Sequence, residues 1–224
     1  FYEFVGVAMQ QSVSMQENCD NQLPGWRHSA IWTYGIMLLV SAIALVTSLI
    51  LSAETLALAR APQKMLSCDF NNVVSCSRVA QTWQAEVVRF GELSFPNAFF
   101  GIAAESVFVT LAVVGMIRVR VPRWFAVCTW LGGLCALLYA YWLFSQSMFV
   151  IHALCPWCIV LMFSTTVQFM SLSHASVSSQ GLLTQRFPWI KRYYRMRYDL
   201  LVDMLWIAVL VALILCQYWN AIFG

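Results

Sequence analysis

Residues 152–172 read HALCPWCIVLMFSTTVQFMSL, two cysteines separated by Pro and Trp at the head of an apolar run. Pro156 suits the first position of a helix, because the backbone N–H it lacks would have no partner there anyway. Cys155 then caps that helix and Cys158 lies in its first turn, where the partial positive charge of the helix end favours a thiolate. The run that follows is too apolar for a soluble redox protein. Three chemistries fit a cysteine pair in that position: half of a metal site, an inert staple, or a dithiol that works at a membrane face.

Composition extends the membrane assignment to the whole chain. Of 224 residues, 61% are apolar and 10% charged, against about a quarter charged in soluble domains. That balance excludes a soluble domain, makes the lipid bilayer the solvent, and leaves no nucleic-acid partner to expect. Stretches near 31–53, 97–117, 124–144, 149–171 and 200–222 each reach the roughly 20 mostly apolar residues needed to cross the hydrocarbon core. The predicted fold class is an all-α membrane protein, a four-helix transmembrane bundle with an external cap loop, plus a fifth transmembrane helix. Its organisation is an N-terminal cytoplasmic tail at 1–30, the catalytic bundle at 31–174 with its loop at 54–95, a cytoplasmic linker at 175–199, and the fifth helix at 200–224. Residues 1–29 show no basic start followed by an apolar core and a small-residue cleavage site, so no secretory signal is expected there.

Charge sets the orientation. Arg118, Arg120 and Arg123 lie between the second and third spans, and Arg186, Lys191, Arg192, Arg195 and Arg197 between the fourth and fifth. The positive-inside rule puts both loops in the cytoplasm. Segment 54–95 balances Arg60, Lys64, Arg78 and Arg89 against Glu54, Asp69, Glu86 and Glu92, so it goes outside with a short turn near 145–148. The expectation is a multi-pass protein of the plasma membrane, with its N-terminus cytoplasmic and its working face external.

The eight cysteines sort by that topology. Cys19, Cys128, Cys135 and Cys216 read as small buried hydrophobes. Cys128 and Cys135 share a helix face, but about 10 Å of helix separates them, too far for a bridge. Cys68, Cys76, Cys155 and Cys158 all map outside, where disulfides persist. The loop that holds Cys68 and Cys76 is too long for a plain connection and too rich in Val, Trp and Phe for disorder, so it should form an ordered cover. Ser75 is a plausible N-cap for a helix from Cys76 to about Phe90, with Val79, Trp83 and Val87 as its apolar stripe.

A zinc site would pair C-x-x-C with a second short knuckle or a histidine. The partner here is C-x7-C and no His stands at ligand spacing, so no metal is expected. Stapling would stabilise the loop without needing a Pro-primed helix start at the second pair. A thiol–disulfide relay uses both features: it passes two electrons from a water-soluble donor to an acceptor in the lipid. For a donor of the DsbA kind, at about −120 mV, the acceptor must be more oxidising still, and a respiratory quinone is the obvious one.

CDFNNVVSCSRV at 68–79, FPNAFFGI at 95–102 and CPWC at 155–158 together resemble the vitamin K epoxide reductase family. The likeness is greatest to its bacterial, actinobacterial-type homologues and covers about 31–171. The resemblance implies a four-helix bundle around a quinone pocket, either menaquinone, which is favoured, or ubiquinone, and a thioredoxin-fold (DsbA-like) partner that the protein reoxidises. It further implies catalytic roles for Cys68, Cys76, Cys155 and Cys158. Cys68 would exchange with the partner, Cys76 with Cys155, and Cys158 would face the quinone. Asn97 matches the family residue that hydrogen-bonds a quinone carbonyl, followed by Phe100 and Gly101. One position departs: where vertebrate members carry a Tyr one turn after C-x-x-C, this chain has Met162, which cannot donate a hydrogen bond. Tyr139 and Tyr141 could substitute, although both read more simply as interface or core aromatics, and His152 reads as a bystander to proton transfer. The alternatives are a non-catalytic, disulfide-braced membrane scaffold and a vitamin K quinone or epoxide reductase.

Overall fold

The computed structural model describes residues 29–63, 65–70, 73–90, 93–119, 121–178, 193, 196 and 198–223. Cys19 and the basic run from Arg186 to Arg192 lie outside them. The elements in chain order are α1 (Ala30–Arg60), α2 (Cys76–Ala80), β1 (Glu86–Phe90), β2 (Leu93–Pro96), α3 (Asn97–Met116), α4 (Arg123–Gln146), α5 (Pro156–Ser178) and α6 (Tyr198–Phe223). Five of these helices are long and apolar enough to cross a bilayer. The chain is an all-α membrane protein in which α1, α3, α4 and α5 form the bundle. Among the described residues, the β1–β2 antiparallel hairpin is the one sheet, and it belongs to the cap.

The bundle is built on an inside-out pattern. Leu39, Ile43, Val46, Leu131 and Leu138 point away from it, where lipid is as good a neighbour as protein. The inner face of α1 instead carries Tyr34, Met37, Ser41, Ala44, Ser48 and Ser52, all buried and spaced at helical period. Small residues let membrane helices approach closely when lipid removes the usual hydrophobic drive. A Cβ at Gly101 would lie 2.7 Å from Ser48 Oγ, and one at Gly115 would collide with the Tyr34 ring. Away from the cap the bundle closes over Tyr34, Met37, Phe108, Ala112, Leu172 and Ala175. Helix α6 stands outside, tied to α5 by His174 Nδ1–Asp199 Oδ2 at 3.0 Å and to α4 by the Tyr141–Trp206 ring contact at 6.2 Å.

Three expectations need correction. The apolar run at 149–171 is not one helix: Ser147–Ile151 completes α4 as a wider π-type turn, and the chain reverses through residues 152–155. Hydropathy cannot see that reversal, because both arms are apolar. His152 makes it in the left-handed region, φ 52°, so the turn falls at 152–155 rather than 145–148. The helix expected from Cys76 to Phe90 lasts five residues. Gln81 N–H and Thr82 N–H close it on Ser77 O and Val79 O, after which Trp83–Ala85 forms a tight turn and the chain enters β1. Finally, Cys128, Cys135 and Cys216 are exposed free thiols on outward helix faces rather than buried ones. In a bilayer those faces meet lipid, which accepts a small apolar thiol as readily as a core does.

Helix α1 also outruns its apolar span. At 31 residues it is about 46 Å long, so its last turns leave a hydrocarbon core of about 30 Å and carry Glu54 into the cap. The cap is knotted by Asp69. Its Oδ1 accepts from Ser75 Oγ at 2.7 Å and Ser77 N at 3.0 Å, and its Oδ2 from Leu66 N at 2.8 Å. Two backbone bonds then join cap to bundle: Ser75 N to Leu154 O at 3.0 Å and Leu154 N to Val73 O at 2.7 Å.

Gly115→Val is expected to lower stability by about 1–3 kcal/mol through overpacking against Tyr34, while Gly132→Ala, whose Cβ meets nothing within 4 Å, stays near neutral. Thermal unfolding of the two variants in detergent checks both. Burial alone would raise the Asp69 carboxyl, but hydrogen bonds from Ser77 N–H, the Ser75 hydroxyl and Leu66 N–H outweigh it and lower its pKa to about 2. That lies below the unfolded value of about 3.9, so the knot is at full strength above about pH 4 and is lost as the pH falls through about 2. Hydrogen exchange at Leu66 and Ser77, corrected for intrinsic rates, should stay flat from pH 7 to 4 and speed up about tenfold in Asp69→Ala at neutral pH.

Candidate active site

Cys76 and the Cys155–Cys158 pair both lie at helix starts. Ser75 caps α2, its hydroxyl accepting from Arg78 N at 3.3 Å, which sets Cys76 as the first helical residue. Pro156 opens α5, and Cys155 caps it through sulfur, accepting from Cys158 N at 3.3 Å. Cys68 and Cys76 form a disulfide with Cα atoms 5.7 Å apart. Cys155 and Cys158 are free thiols.

The two pairs meet directly. Cys155 Sγ lies 3.3 Å from Cys76 Sγ, although the residues are 79 positions apart in the chain. Leu58, Leu66, Cys68, Cys76 and Cys155 form one buried cluster, with Trp157 and Cys158 packed against it. A thiol in contact with one sulfur of a disulfide can exchange with it, since the attacking atom needs to travel little. Cys68, expected to face a partner, is only 4% exposed. Beside it stands a group that the cysteine pattern did not reveal. Glu54 Oε2 is 3.4 Å from Cys68 Sγ, and its other oxygen accepts from Ser67 Oγ. Ligand atoms of Glu54, Cys68 and Cys76 fall within 4.8 Å of one another, but the two sulfurs are bonded to each other and so neither is a thiolate donor for a metal.

Below this cluster, between the four bundle helices, lies a cavity of about 270 Å³, mostly apolar. Cys155 and Cys158 open onto it, with Asn97, Phe100 and Glu105 from α3, Tyr139 and Phe144 from α4, and Met162 further down α5. Gln84 and Ala85 of the cap roof it. The volume approaches the lower end of small-ligand pockets, about 300 Å³, and the lining suits a flat apolar ring with few polar atoms.

Asn97 is the first residue of α3 but does not cap it. Its Nδ2 donates to Gln84 O at 2.7 Å, and its Oδ1 accepts from Tyr139 Oη at 2.9 Å. Tyr139 is held in turn by stacking on Trp142 at 5.7 Å. The amide is thus fixed at the cavity wall with a further hydrogen to donate. The two tyrosines part company: Tyr139 faces the cavity, whereas Tyr141 pairs with Thr166 Oγ1 at 3.0 Å and is not among the lining residues. His152 is not among them either; it serves the turn. Phe100 lines the wall and is 47% exposed. The residue most easily missed is Glu105, although a carboxyl in the middle of an apolar span was itself a signal.

A model of the vitamin K epoxide reductase family matches residues 35–172, and among curated proteins nothing matches the chain. The matched region takes in most of α1, the cap, α3, α4 and most of α5, hence both cysteine pairs and the whole cavity, and it leaves α6 outside. On that match, which spans more than half its length, the chain belongs to the vitamin K epoxide reductase family.

Proposed function

We propose that this membrane oxidoreductase takes electrons from the dithiol of an external thioredoxin-fold partner, DsbA-like in chemistry, and delivers them to a membrane quinone, menaquinone before ubiquinone. The observation that carries it is the 3.3 Å contact between Cys155 and Cys76, a free thiol against a disulfide at the mouth of an apolar cavity. A scaffold braced by disulfides has no use for such a thiol. The orientation, cap outward, rests on Arg118 and Arg123, between α3 and α4 at the end away from the cap, and on the arginine-rich sequence at 186–197.

Electron flow follows the sulfurs. A partner thiolate attacks Cys68, the Cys68–Cys76 bond breaks and Cys76 leaves; the partner's second thiol then displaces Cys68 and the partner departs oxidised. Cys76 attacks Cys155 of a Cys155–Cys158 disulfide and releases Cys158. Cys68 attacks Cys76, which restores the Cys68–Cys76 bond and frees Cys155. Glu54 is placed to take the Cys68 proton in that step. The electron pair now resides on Cys155 and Cys158, the redox state seen in the structure. When bound in the cavity, a quinone supplies the sink for two electrons and two protons as the Cys155–Cys158 bond re-forms. Asn97, held by Gln84 and Tyr139, would hold one of its carbonyls. Because Cys68 is buried, the cap must shift to admit the partner.

In a Cys158→Ala protein the Cys155 thiolate can attack Cys76 and displace Cys68, and because only Cys68 can attack back, the two linkages exchange with no Cys155–Cys158 bond to carry the electrons onward. Peptide mapping under non-reducing conditions should find a Cys76–Cys155 linkage, and quinone-dependent oxidation of the partner should fall to background. Cys68→Ala should leave Cys155 and Cys158 reactive toward quinone while blocking electron entry from the partner. Continued oxidation of partner by a Cys155→Ala, Cys158→Ala protein, with quinone as sole acceptor, would overturn the scheme. Steady-state comparison of menaquinone with ubiquinone in detergent selects between them.

A further inference from the structure

The described cavity has one polar end at Asn97 and a second that the sulfur chemistry does not use. Glu105 lies eight residues along α3 from Asn97, about 12 Å deeper. Helical side chains lean toward the N-terminus of their helix, and both α3 and α5 start at the cap. Glu105 and Gln168 therefore both lean up toward the cavity floor. Glu105 is 4% exposed and Gln168 2%. The Gln168 amide sits beside the Glu105 carboxyl, and Glu105 Oε2 and Gln168 Oε1 have no partner among the described residues.

An acidic oxygen left bare in an apolar bundle costs free energy unless something else bonds to it. The hydroxyl donors in the lining are committed. Thr165 gives its hydroxyl hydrogen to Leu161 O, Thr55 to Leu51 O and Ser147 to Ala153 O. Tyr139 gives its own to Asn97, and Met162 has none to give.

Resting on the functional reading above, we propose that Glu105, braced by Gln168, is the second anchor of the cavity: it donates a hydrogen bond to the quinone carbonyl remote from Asn97 and passes its proton there during reduction. The balance closes within the site. Two electrons and two protons leave the Cys155–Cys158 dithiol as the S–S bond forms. The carbonyl oxygen at Glu105 takes the carboxyl proton and the oxygen at Asn97 takes one thiol proton; the other thiol proton restores Glu105, and the two electrons complete the hydroquinone. The quinone is the only oxidant.

Full-length protein in detergent, wild type, Glu105→Gln and Glu105→Leu, would be titrated with menaquinone by tryptophan fluorescence and by infrared difference spectroscopy, then reduced and followed through one turnover across pH. The wild type should show a carboxyl C=O band that shifts when menaquinone binds, and Glu105→Gln should lack it. Glu105→Gln, which retains the shape and a contact to Gln168, should bind within about threefold of wild type yet reoxidise Cys155 and Cys158 about a hundredfold more slowly. Glu105→Leu should bind about tenfold more weakly; if it fails to fold, Glu105→Gln carries the test alone. Wild-type rates and pH profile in Glu105→Gln, or a bound menaquinone that leaves the carboxyl band in place, would overturn this inference and spare the functional reading. A wild type that binds no menaquinone or ubiquinone would overturn both.

Discussion

Two backbone hydrogen bonds govern the molecule: Leu154 N to Val73 O and Ser75 N to Leu154 O, at 2.7 and 3.0 Å. Each strand of this short parallel bridge runs directly into a cysteine, Ser75 into Cys76 and Leu154 into Cys155. Side chains could bring two sulfurs near one another, but only a backbone clamp fixes where both helices start. The clamp is reinforced on the bundle side, where Ser147 Oγ donates to Ala153 O, and on the cap side by the Asp69 knot. The sulfur contact follows from these bonds.

The strength of the clamp matters as much as its geometry. Two backbone bonds contribute about 1 kcal/mol each, and burial of Leu58 and Leu66 adds about 1.5–3 kcal/mol apiece. The entropy of ordering the loop opposes those gains, so they stabilise the closed cap by less than their sum. Conformers a few kcal/mol above the ground state are populated at about 0.1–10%. In the proposed scheme the cap must keep Cys68 and Cys76 dry for exchange with Cys155 yet open to let a partner thiol reach Cys68. A much firmer seal would isolate the disulfide from any partner.

How much of this was legible in the residues depends on which rule each one obeys. The membrane spans were, because hydropathy over about 20 residues tests a single physical constraint, and Pro156 marked the start of α5 because proline's missing N–H allows few other places. Ser75 as a cap was readable for the same local reason. The reversal at 152–155 was not: it sits between two apolar arms, and its left-handed residue is His152, where no glycine signals the turn. The cap helix was overcalled because Val79, Trp83 and Val87 match a helical stripe by chance, while the hydrogen bonds of Gln81 and Thr82 that stop α2 leave no trace in periodicity. Glu105 stood out as a carboxyl within an apolar span, but its place beside Gln168, like that of Glu54 beside Cys68, is a contact that only the fold reveals. The family resemblance supplied Asn97, but its support by Tyr139 and Gln84 is a property of this chain's packing.

The cavity is a consequence of how the bundle distributes volume. Away from the cap, Tyr34, Met37, Phe108 and Leu172 fill the space between helices, and Gly115 lets α3 settle against the Tyr34 ring. Toward the cap, α1 and α3 still touch, because Gly101 admits Ser48, but the positions lining the space shrink to Ala98, Ala104, Ala136 and Ala140. Lipid gives no hydrophobic reward for collapsing that space, so it stays open, lined by carbon and closed above by the cap. The same clamp that aligns the sulfurs therefore also roofs the chamber into which their electrons would pass. Loosening the bridge would cost both functions together, whereas altering the far-end packing would spare the exchange of sulfurs and change only the chamber's depth.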